Sequence, residues 1–452
     1  MKAKRTFKAI FWPAFIELLF FMLMGTIDTL MLSNYNDFAV GAVGNANTLI
    51  NMFAVLVLVI SSGVAVLVSQ HIGAKQEDEA RAVIGTGVFI NLFVGIFLAS
   101  MMYLLGRQLL NVVNTEAIIF NDSLSYLRLM AISLVFVALS HVMTGTIRSF
   151  GFAKYVTMIV IVGNLLNIVG NYLLINGHYG LPRLGVYGAG LSTLIVRGLM
   201  MIIYTIVLFK LINISFYDIK FVKKSSKDIL RIGVPSALET WTYTLMQGIV
   251  LSIINGFGAQ YTTARTYVNI LLTYVYVFSL ALAQTNAIMT GYAIGEQNYE
   301  KAYTQTLKVI HKSFFIVGII TLIINVFPYQ ILGIFTSNQE ILEIARSVLW
   351  IIIFLEISRS INLVTIQALR SSGDAKFPLI MAIISMMGVA VPLAFILGKW
   401  LGLGLLGIYM AFTADEMLRA LFMSLRWRSR KWETKSDYLK KESEIAIIKA
   451  VK

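Results

Sequence analysis

SFYDIKFVKKSSKDILR, residues 215 to 231, is the one long interruption of a hydrophobic chain of 452 residues, and it stands at the middle. Laid on one another at the spacing from Pro13 to Pro235, the halves before and after it match without gaps. Glu17 falls on Glu239, Ile72-Gly73 with Ala80 on Ile294-Gly295 with Ala302, and Arg148-Ser149-x-Gly151-x-Ala153-Lys154 on Arg370-Ser371-x-Gly373-x-Ala375-Lys376. Leu184-Gly185-x-Tyr187 with Arg197 falls on Leu406-Gly407-x-Tyr409 with Arg419. One offset serving four patches identifies an internal duplication.

Taken whole, central stretch included, the chain is 58% hydrophobic and 13% charged, with a mean hydropathy of +0.78. That is too apolar for a soluble domain, so a bilayer is its solvent. The net charge of +14 points to nucleic acid only in a soluble protein. Here most Lys and Arg fall in the N-terminus, alternate short loops, the central stretch and the tail. That is the positive-inside pattern and predicts a multi-pass plasma-membrane protein with both termini cytoplasmic. There are no cysteines, which excludes disulfides and thiolate metal sites, and the four histidines are too scattered to form a metal site. Lys2, Lys4, Arg5 and Lys8 before an apolar run resemble a signal peptide, but no Ala-x-Ala site follows; a retained first helix is expected.

A spanning helix needs about 20 apolar residues. The first half offers six, at roughly 10–33, 45–72, 83–106, 123–148, 155–176 and 185–212. The second repeats them at roughly 232–255, 264–294, 305–328, 341–370, 377–398 and 403–427. The expected fold is all-α and integral to the membrane, with twelve transmembrane helices in two six-helix repeats. An even number per half makes the repeats parallel, with the working site between them. The expected divisions are an N-lobe at 1–213, a cytoplasmic amphipathic linker at 214–231, a C-lobe at 232–427 and a partly disordered tail at 428–452 with an apolar patch at Ile445–Ile448.

Charge in hydrocarbon is costly and calls for an explanation residue by residue. Glu17 and Asp28 share the first helix, and eleven residues place both on one face, roughly 16 Å apart. Glu17 either lines a cavity or sits at headgroup level; Asp28, among Gly25, Thr26 and Thr29, is the stronger functional candidate. In the fifth helix Asn164, Asn167 and Asn171 form a polar stripe able to hold a cation or bind a carboxylic acid, or else to join helices. Ser192 and Thr193 follow Gly188-Ala-Gly190 and could join it. In the second half Glu239, Tyr243 and Gln247 recur along the seventh helix as a candidate substrate-facing stripe. Glu356 with Arg359 and Asp415 with Arg419, beside Glu416, have spacings suited to structural ion pairs. Six intramembrane acids against Arg197, Arg359 and Arg419 leave an acidic surplus that favours cationic guests. The Arg-Ser-x-Gly-x-Ala-Lys segments suit helix-ending turns, with a cation at the helix C-terminus before a glycine.

Pro13 followed by Asp28 in GTIDTLMLS, Asn167 and Asn171, Thr193 in GAGLSTL and the LRSSGDAKFP turn together resemble the multidrug and toxic compound extrusion (MATE) transporters, of the bacterial NorM/DinF-like kind, over nearly the whole chain. The resemblance implies a proton- or sodium-coupled antiporter exporting cationic amphipathic compounds by alternating access. Asp28, Asn167, Asn171 and Thr193 correspond to the family's N-lobe coupling site, where sodium could also bind. Two departures stand out. Asn171 replaces an aspartate of some members, and Tyr243, Leu355 and Arg359 stand where sodium-coupled NorM-type members carry C-lobe site residues, so that site is not carried over.

The rival reading is a lipid-linked precursor flippase of the same superfamily, which an acidic cavity disfavours. A major facilitator lacks support because GAKQEDEAR does not carry the Gly-x-x-x-Asp-Arg loop. No catalytic constellation appears in the helices, so an enzyme is not expected. Nor is a cofactor or a nucleic-acid partner; the expected partners are small cationic amphiphiles and membrane lipids, and the expected state is a monomer.

Overall fold

In a computed structural model describing residues 5–113 and 115–436, the long apolar runs are helices, and no strand occurs among the described residues. Twelve are long: α1 (Phe7–Ser33), α2 (Asp37–Gly73), α3 (Glu77–Leu104), α4 (Ala117–Ser149), α5 (Ala153–Asn176), α6 (Gly185–Ile212), α7 (Lys223–Asn255), α8 (Ala259–Gly295), α9 (Tyr299–Val326), α10 (Gln339–Ser371), α11 (Lys376–Trp400) and α12 (Gly404–Arg428). In lipid the backbone must satisfy its own hydrogen bonds, which a helix does within one segment. Large apolar side chains such as Phe21, Phe97, Leu104 and Trp400 are left pointing outward, as a hydrocarbon surround requires.

Nine of these helices qualify as membrane spans on length and composition alone. The other three long ones are α7, α10 and α12, the helices that carry Glu239, Glu356, Arg359, Asp415, Glu416 and Arg419. Inward-facing charge dilutes the hydropathy of a helix without making its outer surface polar.

The duplication is written into the turns. Lys75 and its mate Gln297 both adopt the left-handed conformation, at φ 58° and 56°, and Gly151 and Gly373 do so at 85° and 84°. The bonds closing these turns correspond: Gln76 N to His71 O (2.8 Å) with Asn298 N to Ala293 O (2.9 Å), and Phe152 N to Ile147 O (3.0 Å) with Asp374 N to Leu369 O (2.9 Å). Even the short helices after α3 and α9, Gly106–Val112 and Pro328–Leu332, start at matched positions.

The expected match in the last helix of each half is corrected. Gly185 opens α6 at φ +55° against the ring of Tyr35, and Gly404 opens α12 at φ +56° against the ring of Tyr261. Gly188 and Gly407 each lie against the backbone of the preceding helix, at Leu174 and Leu397. The true correspondence is therefore three residues out of register with the one read from Leu184-Gly185, because the connection at 401–403 is shorter than that at 177–184. Arg197 is matched by Glu416 rather than by Arg419.

The described chain forms two compact units. One runs to Gly233 apart from Gly73–Lys75; the other takes Gly73–Lys75 and everything from Val234. The first has a core including Val57, Met102, Leu127, Leu134 and Ala138, the second one including Val250, Val268, Val348, Ile352 and Ile408.

Two expectations about the polar segments change. The linker is not merely a surface connection: α7 begins at Lys223, and Ser225, Ser226 and Ile229 are buried. Thr86 Oγ1 donates to Lys220 O (3.3 Å) and accepts from Val222 N (3.3 Å), while glycines at 63 and 85 let α2 and α3 approach the backbone of Ile229 and Asp218. The start of the tail is also folded. Trp432 is fully buried and stacks on Trp427 at 4.2 Å, its Nε1 donating to Trp427 O (3.0 Å), and Arg430 pairs with Glu300. The Ile445–Ile448 patch lies outside the described residues.

Candidate functional site

Three asparagines at helical spacing put their amides on one side of α5, and α1 and α6 pack against that helix. Asn164 Nδ2 donates to Phe20 O (3.3 Å), and Thr157 Oγ1, from the same helix, donates to Pro13 O (2.8 Å). These bonds set α1 along α5. Deeper in, Asn171 Nδ2 donates to Asp28 Oδ1 at 2.7 Å and lies 3.4 Å from Asn167 Oδ1. Asn167 Nδ2 in turn reaches Ser192 Oγ (3.2 Å) and Thr193 Oγ1 (3.3 Å) on α6, and Ser192 Oγ returns a bond to Asn167 O (3.2 Å). Gly188 against the Leu174 backbone and Gly170 against Ser192 allow the close approach of α5 and α6 that these bonds need. The four residues assigned by resemblance to a coupling site, with Ser192, thus form one hydrogen-bonded chain.

Asp28 is half-buried, whereas Asn167, Asn171 and Ser192 are buried. Arg197 on α6 and Tyr126 on α4 lie within electrostatic reach of Asp28, but Arg197 spends a hydrogen bond on Ser133 Oγ (2.9 Å) and forms no ion pair with the acid. Among the described residues Asp28 is the one intramembrane acid with no cationic partner within 4.0 Å. The buried Oδ1 of Asn171 has no hydrogen-bond partner.

The group bonded to Asp28 bears on which ion the site suits. Carboxylate, amide and hydroxyl oxygens are hard donors appropriate to sodium. Asn171, however, turns its NH2 toward Asp28, so this amide serves as a sodium ligand only if it rotates its unpartnered Oδ1 inward. Protonation of the carboxyl requires no such rotation.

The second unit treats its acids differently. Glu239, expected to stand un-neutralised and to face a cavity, is buried and accepts a bond from Arg370 Nη2 at 2.8 Å. The neutralising cation comes from another helix, α10, which no spacing within α7 reveals. Glu17, the candidate cavity acid of the first unit, is likewise bound to a cation, Arg148 of α4. Tyr243 and Gln247 bond to each other (2.9 Å), and Arg265 Nη2 donates to Gln247 Oε1 (2.9 Å), so the stripe beyond Glu239 ends on an arginine.

Glu356 pairs with Arg359, and Arg419 grips Asp415 through Nε (3.1 Å) and Nη2 (2.6 Å). Glu416 joins these pairs into one network, 3.4 Å from Arg359 Nε and 2.9 Å from Arg419 Nη2. Asn362 Nδ2 (2.9 Å) and Ser385 Oγ (2.6 Å) supply further donors, to Glu416 and Asp415.

Sequence reasoning missed Arg148 and Arg370, which it read as turn residues. The signal was present, because the offset carrying Glu17 to Glu239 also carries Arg148 to Arg370. Counting these two arginines corrects the intramembrane charge: six acids face five arginines, and the surplus falls to one.

Comparisons with known proteins bear on the family and the fold. Residues 13–173 and 235–396 each match the sequence profile of the family described as MatE, so the two matches begin at Pro13 and Pro235, the matched prolines of the duplication. An uncharacterized transporter, YisQ, of Bacillus subtilis (strain 168) is 34% identical over 436 residues, covering 95% of this chain and 96% of that protein. A probable multidrug resistance protein, NorM, of Thermotoga maritima is 28% identical over 430 residues, covering 94% and 92%. The solved structure of a multidrug resistance MATE family transporter of the MOP superfamily, in an outward-facing conformation, has a similar fold, with a TM-score of 0.87 at 23% identity and 96% of each chain covered.

Proposed function

The chain belongs to the MatE family, a family of membrane transporters and not of enzymes, and from that premise we propose that it is a proton-coupled antiporter that exports cationic amphipathic compounds. The observation that carries the coupling is the contrast among its acids. Five are held by arginine, and a carboxylate held by a guanidinium in a low-dielectric surround does not readily exchange it for another cation. Asp28 alone is held by a neutral amide, so it is free to alternate between a proton and the influence of a positively charged guest.

Antiport requires that the two occupants not be stabilised equally in both states of the transporter. A single acid serving both satisfies this: whichever occupant neutralises Asp28 excludes the other. Asn171 presents a donor to the charged form and bonds to Asn167, which Ser192 and Thr193 hold in turn. Were sodium the coupling ion, Asp28, Asn167, Asn171 and Thr193 are the residues that would hold it, supplying oxygen ligands.

Export of drug-like compounds is supported by the names of relatives such as NorM of Thermotoga maritima, and the cationic preference by the remaining surplus of one acid. No observation favours a lipid-linked precursor flippase. The distribution of Lys and Arg supports insertion in the plasma membrane with both termini cytoplasmic.

The test is ethidium efflux from proteoliposomes with a proton gradient and a sodium gradient imposed separately, for the wild type and Asp28→Asn. The expected result is efflux driven by protons and its loss in a folded Asp28→Asn protein. Wild-type coupled efflux by that variant removes Asp28 from the mechanism; efflux driven by sodium alone reassigns the ion.

A further inference from the structure

Glu17 pairs with Arg148 and Glu239 with Arg370, and in each pair the partners are 131 residues apart. The offset of the duplication carries one pair onto the other. In each, an acid four residues after a helix-interior proline meets an arginine in the last turn of the fourth helix of its repeat, where the negative end of the helix dipole favours a cation. The contact uses Nη2 both times and leaves the buried Nε of Arg148 and of Arg370 without a partner. The side chains are 16% and 17% exposed in the first pair and 10% and 13% in the second.

In their other intramembrane polar side chains the two units diverge. Asp28 and its amides belong only to the first; the Tyr243–Gln247–Arg265 stripe belongs only to the second. Shared construction beneath divergent chemistry is what a common positioning element looks like.

The first helix of the first unit needs one. Only Ile10, Phe11, Ala14, Met24 and Leu32 of α1 are buried, so apolar packing holds it weakly. Its bonds at Pro13, Phe20 and Asp28 all run to α5 and fix it along one line of contact. Glu17 reaches a different helix, α4, and a second direction of attachment stops a helix from rolling about the first. Asp28 stands eleven residues farther along the same face, about 16 Å away, so a roll at Glu17 is transmitted to it.

We infer that Glu17–Arg148 and Glu239–Arg370 are positioning pairs: the first sets Asp28 against Asn171, and the second sets Tyr243 and Gln247 for substrate. This rests on the proposed antiport, with coupling in the first unit and substrate contact in the second. The other titratable side chains within electrostatic reach of Arg148 are His141 on α4 and Tyr204 on α6, the latter also reached by Glu17.

The experiment compares Glu17→Gln/Arg148→Gln with Glu239→Gln/Arg370→Gln in proteoliposomes. Removing both members of a pair avoids leaving one buried charge unpaired. Ethidium efflux is measured against pH at fixed dye and against dye at fixed pH. The first variant is expected to need about tenfold more protons for half-maximal efflux, the size of effect typical of groups that orient a binding residue, with its half-saturating dye concentration unchanged. The second is expected to show the reverse, about tenfold more dye with an unchanged pH profile. If a neutral double variant fails to fold, Glu17→Asp and Glu239→Asp, which keep the charge but shorten the reach, are read in the same way. Variants with wild-type values for both quantities, or with a lower maximal rate alone, overturn the inference and leave the pairs as charge compensation. Asp28→Asn in the same assay separates the two ideas: if it abolishes coupling while the pair variants are normal, only positioning fails, and if it transports normally, the antiport reading fails.

Discussion

Replacing Arg419 with Met should be among the most damaging single changes in the second unit. Its side chain is 5% exposed and makes three short contacts, two to Asp415 at 2.6 and 3.1 Å and one to Glu416 at 2.9 Å. Without it Asp415 keeps only the Ser385 hydroxyl, and Glu416 keeps Asn362 and the longer 3.4 Å contact to Arg359. Three buried acids are then left with one arginine. Breaking a buried pair from one side typically costs about 3–5 kcal/mol, because the abandoned carboxylate has no solvent to receive it. Removing both charges, in Asp415→Asn/Arg419→Met, should restore most of the loss, since Ser385 can still donate to the amide oxygen. Unfolding of the purified protein in mixed micelles with increasing SDS, followed by tryptophan fluorescence, measures both variants. Arg346→Met is the control: its pair with Glu343 is about half-exposed on both sides and should matter little. The reasoning is refuted if Arg419→Met is as stable as Arg346→Met, or if the double variant is no better than the single one.

Cysteines introduced at Asn36 and Lys227, both exposed, should react with an impermeant maleimide from opposite sides of the membrane; labelling from one side refutes the topology. Gly85→Val should prevent the segment around Asp218 from docking on α3 and lower the yield of folded protein on size exclusion, because even a Cβ there overlaps the Asp218 carbonyl; a normal yield and profile would show that the contact is dispensable. Trp432→Ala removes a fully buried ring stacked on Trp427 and, at about 3–5 kcal/mol for such a truncation, should expose the backbone after Arg428 to limited proteolysis while ethidium efflux continues. Unchanged protease resistance would show that Trp432 does not hold this segment.

What the sequence determines here is local or repeated. Runs of about 20 apolar residues must be helices in lipid, because nothing else satisfies the backbone there. The 3.6-residue period alone aligns Asn164, Asn167 and Asn171, and Glu17 with Asp28. The duplication is legible because a matched proline, glutamate and glycine turn survive at one spacing. The tertiary structure decides whatever depends on how a helix is rotated and how deep it sits. That Asn171 meets Asp28, that Glu239 is neutralised by Arg370 131 residues away, and that Glu416 fuses two ion pairs into one network all depend on contacts between helices, which no spacing within a single helix encodes. The same holds for the polar segments. Lys223–Arg231 reads as part of an amphipathic linker at the membrane surface, yet Ser225 and Ser226 are buried along with Ile229, and the segment forms the first turns of α7. Trp432 reads as part of a basic tail until Trp427 is found beneath it. Composition records how polar a segment is on average; burial is decided side by side, by the neighbour each face happens to meet.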